Sequence, residues 1–319
     1  MSGQVVVVAD CDHASIDIER GVLKDISADV PWLTCRSEDD VIAQCAGADA
    51  LLIMYAPFTR RVLEQLPRCK VIVRYGVGVD TIDLKAAGEL GIIVSNVPDY
   101  GTQEVSDHAL AMMLCMTRKV AKASSLVKSG QWDFRLLRPI RRHQVQTIGI
   151  VGIGRIGRAM AEKTRALGMK VIAYDPHVAP AQLPDFITLV SLDDLLREAD
   201  VVSVHCPLNE STRMLLDESR LRLMKPSAYL VNTARGSIVD EIALDALLTE
   251  QKLAGAAMDV LAVEPGAPDN PLFKHENFFC TPHMAWHSDE SAQELKRKAA
   301  EEVRRVLRGE AALYQVNTF

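Results

Sequence analysis

Thr147-Ile148-Gly149-Ile150-Val151-Gly152-Ile153-Gly154-Arg155-Ile156-Gly157 decides how this chain folds. A short β-branched run breaks at a glycine, and a G-x-G-x-x-G spacing opens into a helical pattern that ends at Gly168. A second apolar run, Lys170–Asp175, follows. Strand, turn, helix and strand thus stand in the order that a dinucleotide-binding βαβ unit requires. In such a unit Gly152 makes the tight turn, Gly154 lets backbone approach a pyrophosphate, and Gly157 lets helix pack on strand. The helix N-terminus at Arg155 and Ile156 presents unpaired N–H groups and a partial positive charge to the phosphates. Asp175 lies 18 residues beyond Gly157. A carboxylate there accepts hydrogen bonds from ribose hydroxyls and repels a 2′-phosphate, which favours NAD over NADP. The plain structural alternative is a tight αβ turn with Asp175 capping the next segment. His177 could also meet a phosphate, so the preference is not absolute.

Working outward, further apolar runs alternate with helical stretches. Before the glycine turn they are Gln4–Asp10, Ala48–Met54, Lys70–Tyr75 and Gly91–Val97, with a weaker one at Val30–Cys35. After it come Asp200–Pro207, Ala228–Ala234, Leu253–Val260 and Asn277–His283. Continuous apolar runs of this length suit a parallel sheet covered on both faces. About ten strands exceed one comfortable sheet, and 319 residues exceed the ~250–300 that one core sustains. The reading is α/β, with two doubly wound parallel-sheet domains in series. The break falls near Asn96-Val97-Pro98-Asp99, before a helix over about Thr102–Ala121 that is apolar almost all round and needs burial on several sides. A closing helix, about Ser288–Arg308, carries an apolar face of Leu295, Ala299, Val303 and Val306, for which the N-terminal unit is the candidate partner. The domains are therefore expected at 1–98 plus 288–319 and at 99–287.

Composition excludes other classes. With 42 acidic against 36 basic side chains and a net charge of −6, the chain does not read as a nucleic-acid binder. Nothing approaches the ~18 consecutive apolar residues of a membrane span, and the first residues show no secretory leader. Seven cysteines without CxxC spacing suit buried thiols in a reducing compartment, with no metal site expected. A cytoplasmic protein is the expectation.

In open α/β sheets ligands bind beyond the carboxyl ends of the strands. Of the eight histidines, six (13, 108, 143, 177, 275 and 287) lie on expected loops or helices, where a solvated or satisfied side chain is the default. His205, before Cys206-Pro207, reads as a strand-terminating turn, placing Pro207 beside the cofactor. His283, in Thr281-Pro282-His283, is the better acid/base candidate. Arg235 and Glu264 obey the same strand-end rule, with Thr233 and Ala234 expected at the cofactor. A fixed guanidinium can hold an α-keto carboxylate bidentately and polarise its carbonyl. A carboxylate beside an imidazole favours the protonated ring, ready to deliver a proton as hydride reaches the carbonyl carbon. Asp259 either orients a nicotinamide amide or caps its strand. Arg138, Arg141, Arg142 and His143 form a basic cluster that reads as a solvated connector, with an anionic substrate as the alternative.

Gly152–Gly157, Asp175, Asn232-Thr233-Ala234-Arg235-Gly236, Met258-Asp259-Val260, Val263-Glu264-Pro265 and Thr281-Pro282-His283 together resemble the D-isomer-specific 2-hydroxyacid dehydrogenases, in order through nearly the whole chain. Met54-Tyr55, Val73–Asp80 and Ala285-Trp286-His287-Ser288 are most similar to the C-terminal-binding-protein branch. The resemblance implies a flavodoxin-like substrate domain and a Rossmann NAD-binding domain around a cleft, in a homodimer joined by the segment after the hinge. It implies Arg235 as substrate clamp, His283 as acid/base and Glu264 as its tuning partner. Backbone N–H groups of Val77 and Gly78 would cradle the substrate carboxylate, with Arg74 adding charge. Tyr55 and Trp286 would line a pocket for an apolar or thioether side chain. The expected ligand is a small 2-keto or 2-hydroxy acid. Glu264 argues against formate-specific relatives, which carry glutamine, and the C-terminus argues against a regulatory tail. Two alternatives stand beside this: an NAD(H)-gated dimeric scaffold, and a 3-phosphoglycerate dehydrogenase.

Overall fold

In the computed structural model, which describes residues 3–319, the apolar runs become short, buried, parallel strands. They belong to two compact units, one extending to Gly101 and resuming at Ser288–Phe319, the other Thr102–His287.

The first unit contains β1 (Val6–Val8), α1 (Asp17–Leu23), α2 (Glu38–Cys45), β2 (Ala50–Ile53), α3 (Arg60–Leu63), β3 (Val71–Arg74), α4 (Leu84–Glu89) and β4 (Ile93–Ser95). Its sheet runs β1-β2-β3-β4, all parallel. Val30–Cys35 is not a full strand, because Pro31 has no N–H to give the ladder. It still lies beside β1, with a parallel bridge between Val8 and Trp32. Val8 donates to the Pro31 carbonyl, and Leu33 and Cys35 donate to Val8 and Ala9, each at 2.9 Å. Counting that segment, the order is the 2-1-3-4-5 of a flavodoxin-like sheet.

The second unit holds α5 (Thr102–Thr117), α6 (Val120–Lys128), β5 (Thr147–Val151), α7 (Arg155–Ala166), β6 (Lys170–Tyr174), β7 (Ile187–Leu189), α8 (Leu192–Glu198), β8 (Val201–Val204), α9 (Glu218–Leu221), β9 (Tyr229–Asn232), α10 (Glu241–Thr249), β10 (Gly255–Met258) and β11 (Phe278–Cys280). Its sheet order is β7-β6-β5-β8-β9-β10-β11, wholly parallel. This is the doubly wound 3-2-1-4-5-6 pattern with a seventh strand, and it switches direction at β5 and β8. Two features differ from the sequence expectation. The strand β7 sits in the short run Phe186–Val190, outside the expected apolar runs. The helix expected over Thr102–Ala121 ends at Thr117, because Lys119 turns left-handed at φ +54° and starts α6. Ala109, Met112 and Met113 of α5 are buried, while Leu110, Leu114 and Met116 pack only partly.

The closing helix α11 (Asp289–Leu307) belongs to the first unit and packs on α1, β2 and β3. Leu295, Ala299 and Val303 are fully buried and Val306 nearly so. Each large side chain so buried contributes about 1.5–3 kcal/mol. Its start is fixed reciprocally: Ser291 N–H donates to Ser288 Oγ at 2.9 Å, and Ser288 N–H to Ser291 Oγ at 2.8 Å. No described helix is long and apolar enough to cross a membrane.

Candidate active site

The turn after β5 has the geometry its glycines permit. Gly152 sits at φ +90°, and a Cβ there would press on the Cys206 backbone at 2.6 Å, so only glycine fits. A side chain at Gly157 would overlap the Gly152 carbonyl, which is the close packing of α7 on its strand. Gly154 differs: a Cβ there would meet open space, and Gly154 leaves the N-terminus of α7 without a side-chain cap. The N–H groups of Arg155 and Ile156 open that helix. Asp175 follows β6 directly and accepts from Ile153 N–H at 3.0 Å and His177 N–H at 2.9 Å. Its carboxylate therefore sets the glycine turn and caps its own turn at once.

The strand ends of β8 to β11 hold the other candidates. Asn232, at the end of β9, accepts from Ala234 N–H at 3.0 Å and donates to the Arg235 carbonyl at 2.9 Å, shaping the turn that presents Arg235. The Thr233 hydroxyl is buried. The Pro207 carbonyl accepts from Thr212 Oγ1 at 2.6 Å, which holds the turn after β8. Glu264 Oε1 accepts from Leu261 N–H at 2.9 Å, and Oε2 lies 2.6 Å from His283 Nδ1. Burial would lift the Glu264 carboxyl. The hydrogen bond and charge of His283, the Leu261 N–H and the Arg235 guanidinium outweigh it and hold the group below the ordinary glutamate range. The structure thus brings Glu264 and His283 into contact and places the Arg235 charge close enough to act on Glu264.

His283 itself is in the left-handed region at φ +53°, a costly conformation for a residue with a side chain. Asp259, 1% exposed, holds it there. The Asp259 carbonyl accepts from His283 N–H at 2.8 Å. Its carboxylate accepts from Thr281 Oγ1 at 2.5 Å, Met284 N–H at 3.0 Å and Ala285 N–H at 2.8 Å. The next support is His108 of α5, whose Nε2 lies 2.9 Å from Thr281 Oγ1. Thr281 stands in the Thr281-Pro282-His283 motif, but its pairing with His108 spans 173 residues and leaves no local mark in the sequence.

In the first unit, Asp10 accepts from the N–H groups of Met54, Tyr55 and Ala56 at 2.9, 2.6 and 3.1 Å, fixing the turn after β2. The Tyr55 ring is half exposed, and its hydroxyl donates to Asp12 at 2.8 Å, so this position offers an aromatic face with a polar edge. Arg74 ends β3 and its Nε donates to the Met54 carbonyl at 3.3 Å. The positive φ of the following turn falls at Gly76, at +119°, next to Val77 and Gly78. Trp286, in the second unit, stacks edge-on against His287 at 5.3 Å.

Other histidines separate clearly. His205 is partly buried beside Ser203 Oγ at 2.8 Å, and loss of solvent around the ring pushes its imidazole down to about 4, which suits a packed turn and no proton transfer near neutrality. His13 is not solvated: it packs edge-on against Tyr75 at 4.9 Å, and burial with the Lys296 charge holds it down to about 4. His143, in the basic connector, lies 3.0 Å from Thr117 Oγ1. Arg141 lines a hollow with Tyr229 and Ala254, where β9 and β10 begin. Both are therefore at the opposite end of this sheet from His283. Among the described residues no cluster of three or more His, Cys, Asp or Glu is disposed to hold a metal ion.

Residues 110–285 match the family described as D-isomer specific 2-hydroxyacid dehydrogenase, NAD binding domain. D-3-phosphoglycerate dehydrogenase of Mycobacterium tuberculosis is 37% identical over 319 residues, covering 99% of this chain but 59% of that protein. The chain thus spans less than two thirds of the length of the curated relatives it matches. Among solved structures, D-lactate dehydrogenase from Aquifex aeolicus complexed with NAD and lactic acid superposes with a TM-score of 0.88 at 30% identity, covering 96% of each chain. An acyclic imino acid reductase in complex with NADPH and D-Arg gives 0.90 at 26% identity, covering 98% of this chain and 99% of that one. A G-x-G-x-x-G turn, a Glu264–His283 contact and a match running through more than half of its length place this chain in the D-isomer-specific 2-hydroxyacid dehydrogenase family.

Proposed function

We propose that the chain is an NAD-dependent 2-hydroxyacid dehydrogenase that reduces small 2-oxo acids reversibly. The 2.6 Å contact between Glu264 Oε2 and His283 Nδ1 carries this reading. The residues of the second unit suit a dinucleotide: open space over Gly154, an uncapped α7 N-terminus and the Asp175 carboxylate beside the turn. A bound nicotinamide would supply the hydride. With Nδ1–H given to Glu264, His283 keeps Nε2 for the substrate oxygen, donating a proton in reduction and accepting one in oxidation. Arg235 clamps the carboxylate and polarises the carbonyl. We assign Val77, Gly78 and Arg74 to the substrate carboxylate, and Tyr55 with Asp12 and Trp286 to its side chain. Thr233, Ala234 and Pro207 are assigned to the nicotinamide side.

The test is a panel of pyruvate, glyoxylate, hydroxypyruvate, phosphohydroxypyruvate, and branched and thioether 2-oxo acids, each with NADH and NADPH. Turnover with NADH is expected to exceed that with NADPH, and Asp175→Ala is expected to narrow the gap by relieving repulsion of the 2′-phosphate. Equal use of both cofactors by the unaltered chain would refute the cofactor preference. The position of Arg141 and His143, remote from His283, lends no support to a phosphorylated substrate.

A homodimer belongs to the same proposal. Val120, Trp132, Phe134, Leu136 and Val145 are all more than half exposed, a run of apolar surface that a second copy would cover. Sedimentation is expected to show a dimer whose stability falls in Trp132→Glu. Dimerisation that depends on nucleotide, with no turnover of any 2-oxo acid, would favour the scaffold reading instead.

A further inference from the structure

The segment that carries Glu264 is gripped by a second carboxylate. Leu261 N–H is taken by Glu264 itself, and the adjacent Ala262 N–H donates to Glu241 Oε1 at 2.6 Å. Glu241 is the first residue of α10, but it is not needed as the cap of that helix. Asp240 already accepts from Ile242 and Ala243 N–H, each at 3.0 Å. The same segment is pressed from another side by Gly236, where any Cβ would overlap the Leu261 carbonyl and the Ala262 nitrogen. Arg235 and Glu264 are therefore spaced by backbone in direct contact, and Glu241 locks that contact from outside.

The charges around Glu241 give this clamp a chemical side. The groups facing it are Glu264 and Cys280, with Arg235 and His283 acting on Glu264 in turn. We propose that Glu241 is a positioning residue for proton transfer, fixing the Leu261–Glu264 turn and adding a second negative charge that helps the Glu264–His283 pair keep its proton. This rests on the dehydrogenase reading for its place in catalysis, while the contact with the Leu261–Glu264 turn does not.

A carboxylate serving only as a helix-start residue would be most stable ionised. Burial, with the Glu264 charge adding to it, instead raises the Glu241 carboxyl above its ordinary value, against the pull of the Ala262 N–H. The folded state then holds this proton more tightly than the unfolded chain. Stability from this group is greatest below the unfolded value and declines as pH rises through the raised one. At neutral pH the ionised form is thus kept at a stability cost.

Glu241→Gln separates the two contributions, because its amide oxygen can still accept from Ala262 N–H while the charge is gone. The Gln variant is expected to melt no lower than the unaltered protein at pH 8. Its imidazole titration at His283, followed by NMR in the nucleotide-free protein, is expected to move to lower pH by about half a unit. The alkaline limb of kcat/KM for 2-oxo acid reduction should move the same way, with NADH binding unchanged. Glu241→Ala, which loses the clamp too, is expected to lower kcat/KM by up to about 100-fold. An unmoved His283 titration in Glu241→Gln overturns the proposal. Absence of turnover in the unaltered chain would instead reject the dehydrogenase reading, and the NMR titration would still decide the role of Glu241.

Discussion

His283→Ala is expected to lower the rate of 2-oxo acid reduction by about 10²–10⁴-fold while NADH binds as before. A hundredfold loss corresponds to about 2.7 kcal/mol of barrier, the usual contribution of one positioned proton donor. The split between rate and cofactor affinity follows from where the residue stands. His283 lies after β11, and its ring is tied to Glu264, while the glycine turn and Asp175 belong to β5 and β6 on the other side of the sheet switch. Stopped-flow reduction with saturating NADH, alongside NADH fluorescence titration, reads the two quantities separately. Turnover within a few fold of the unaltered chain would remove His283 from the chemistry. The variant should also lose a stabilising partner of Glu264. Its carboxyl is held low chiefly through His283, so that contribution is present above the ordinary glutamate range and lost as pH falls through the depressed value.

Asp259→Ala is expected to reduce both stability and activity. One buried carboxylate accepts from Thr281 Oγ1 and from the N–H groups of Met284 and Ala285, and its removal takes the acceptor from all three, of which Thr281 keeps His108 as a neighbour. Leaving buried donors unmatched costs roughly 1–3 kcal/mol each, so a loss of about 3 kcal/mol or more is expected. For a domain of this size that is a fall in Tm of about 6–12 °C. Activity should fall further than stability explains, because the left-handed backbone of His283 relaxes once its support is gone. Asp259→Asn keeps one acceptor oxygen and should lie between. A variant with normal Tm would show that the three hydrogen bonds add little.

Most of the architecture could be read from the chain because parallel strands leave a local mark. A βαβ unit needs an apolar run, a turn and an amphipathic stretch in sequence order, and Thr147–Asp175 displays all three. The weak segment Val30–Cys35 shows the limit. Its hydrogen bonds reach β1 across a helix, and Pro31 hides the pattern. The end of α5 was misplaced because Arg118 and Lys119 carry ordinary helix-forming side chains, and the left-handed turn at Lys119 is set by packing. Candidate residues obeyed the same division. Arg235, Glu264 and His283 stand at strand ends and could be named individually. The supports Glu241, His108 and Thr281 act through contacts between distant segments, which no local pattern records. The hydroxyl contact of Tyr55 is equally hidden, since its partner Asp12 is 43 residues away.

The return of α11 to the first unit has a consequence for biosynthesis. The sheet β1 to β4 emerges from the ribosome first, yet the helix that covers one of its faces is made almost 200 residues later. The second unit is a single uninterrupted stretch and can close on itself while still being synthesised. The nascent N-terminal sheet must wait, with Leu52, Val73 and Tyr75 incompletely sheltered, until Leu295 and Val303 arrive. That interval is when a chaperone has most to offer this polypeptide.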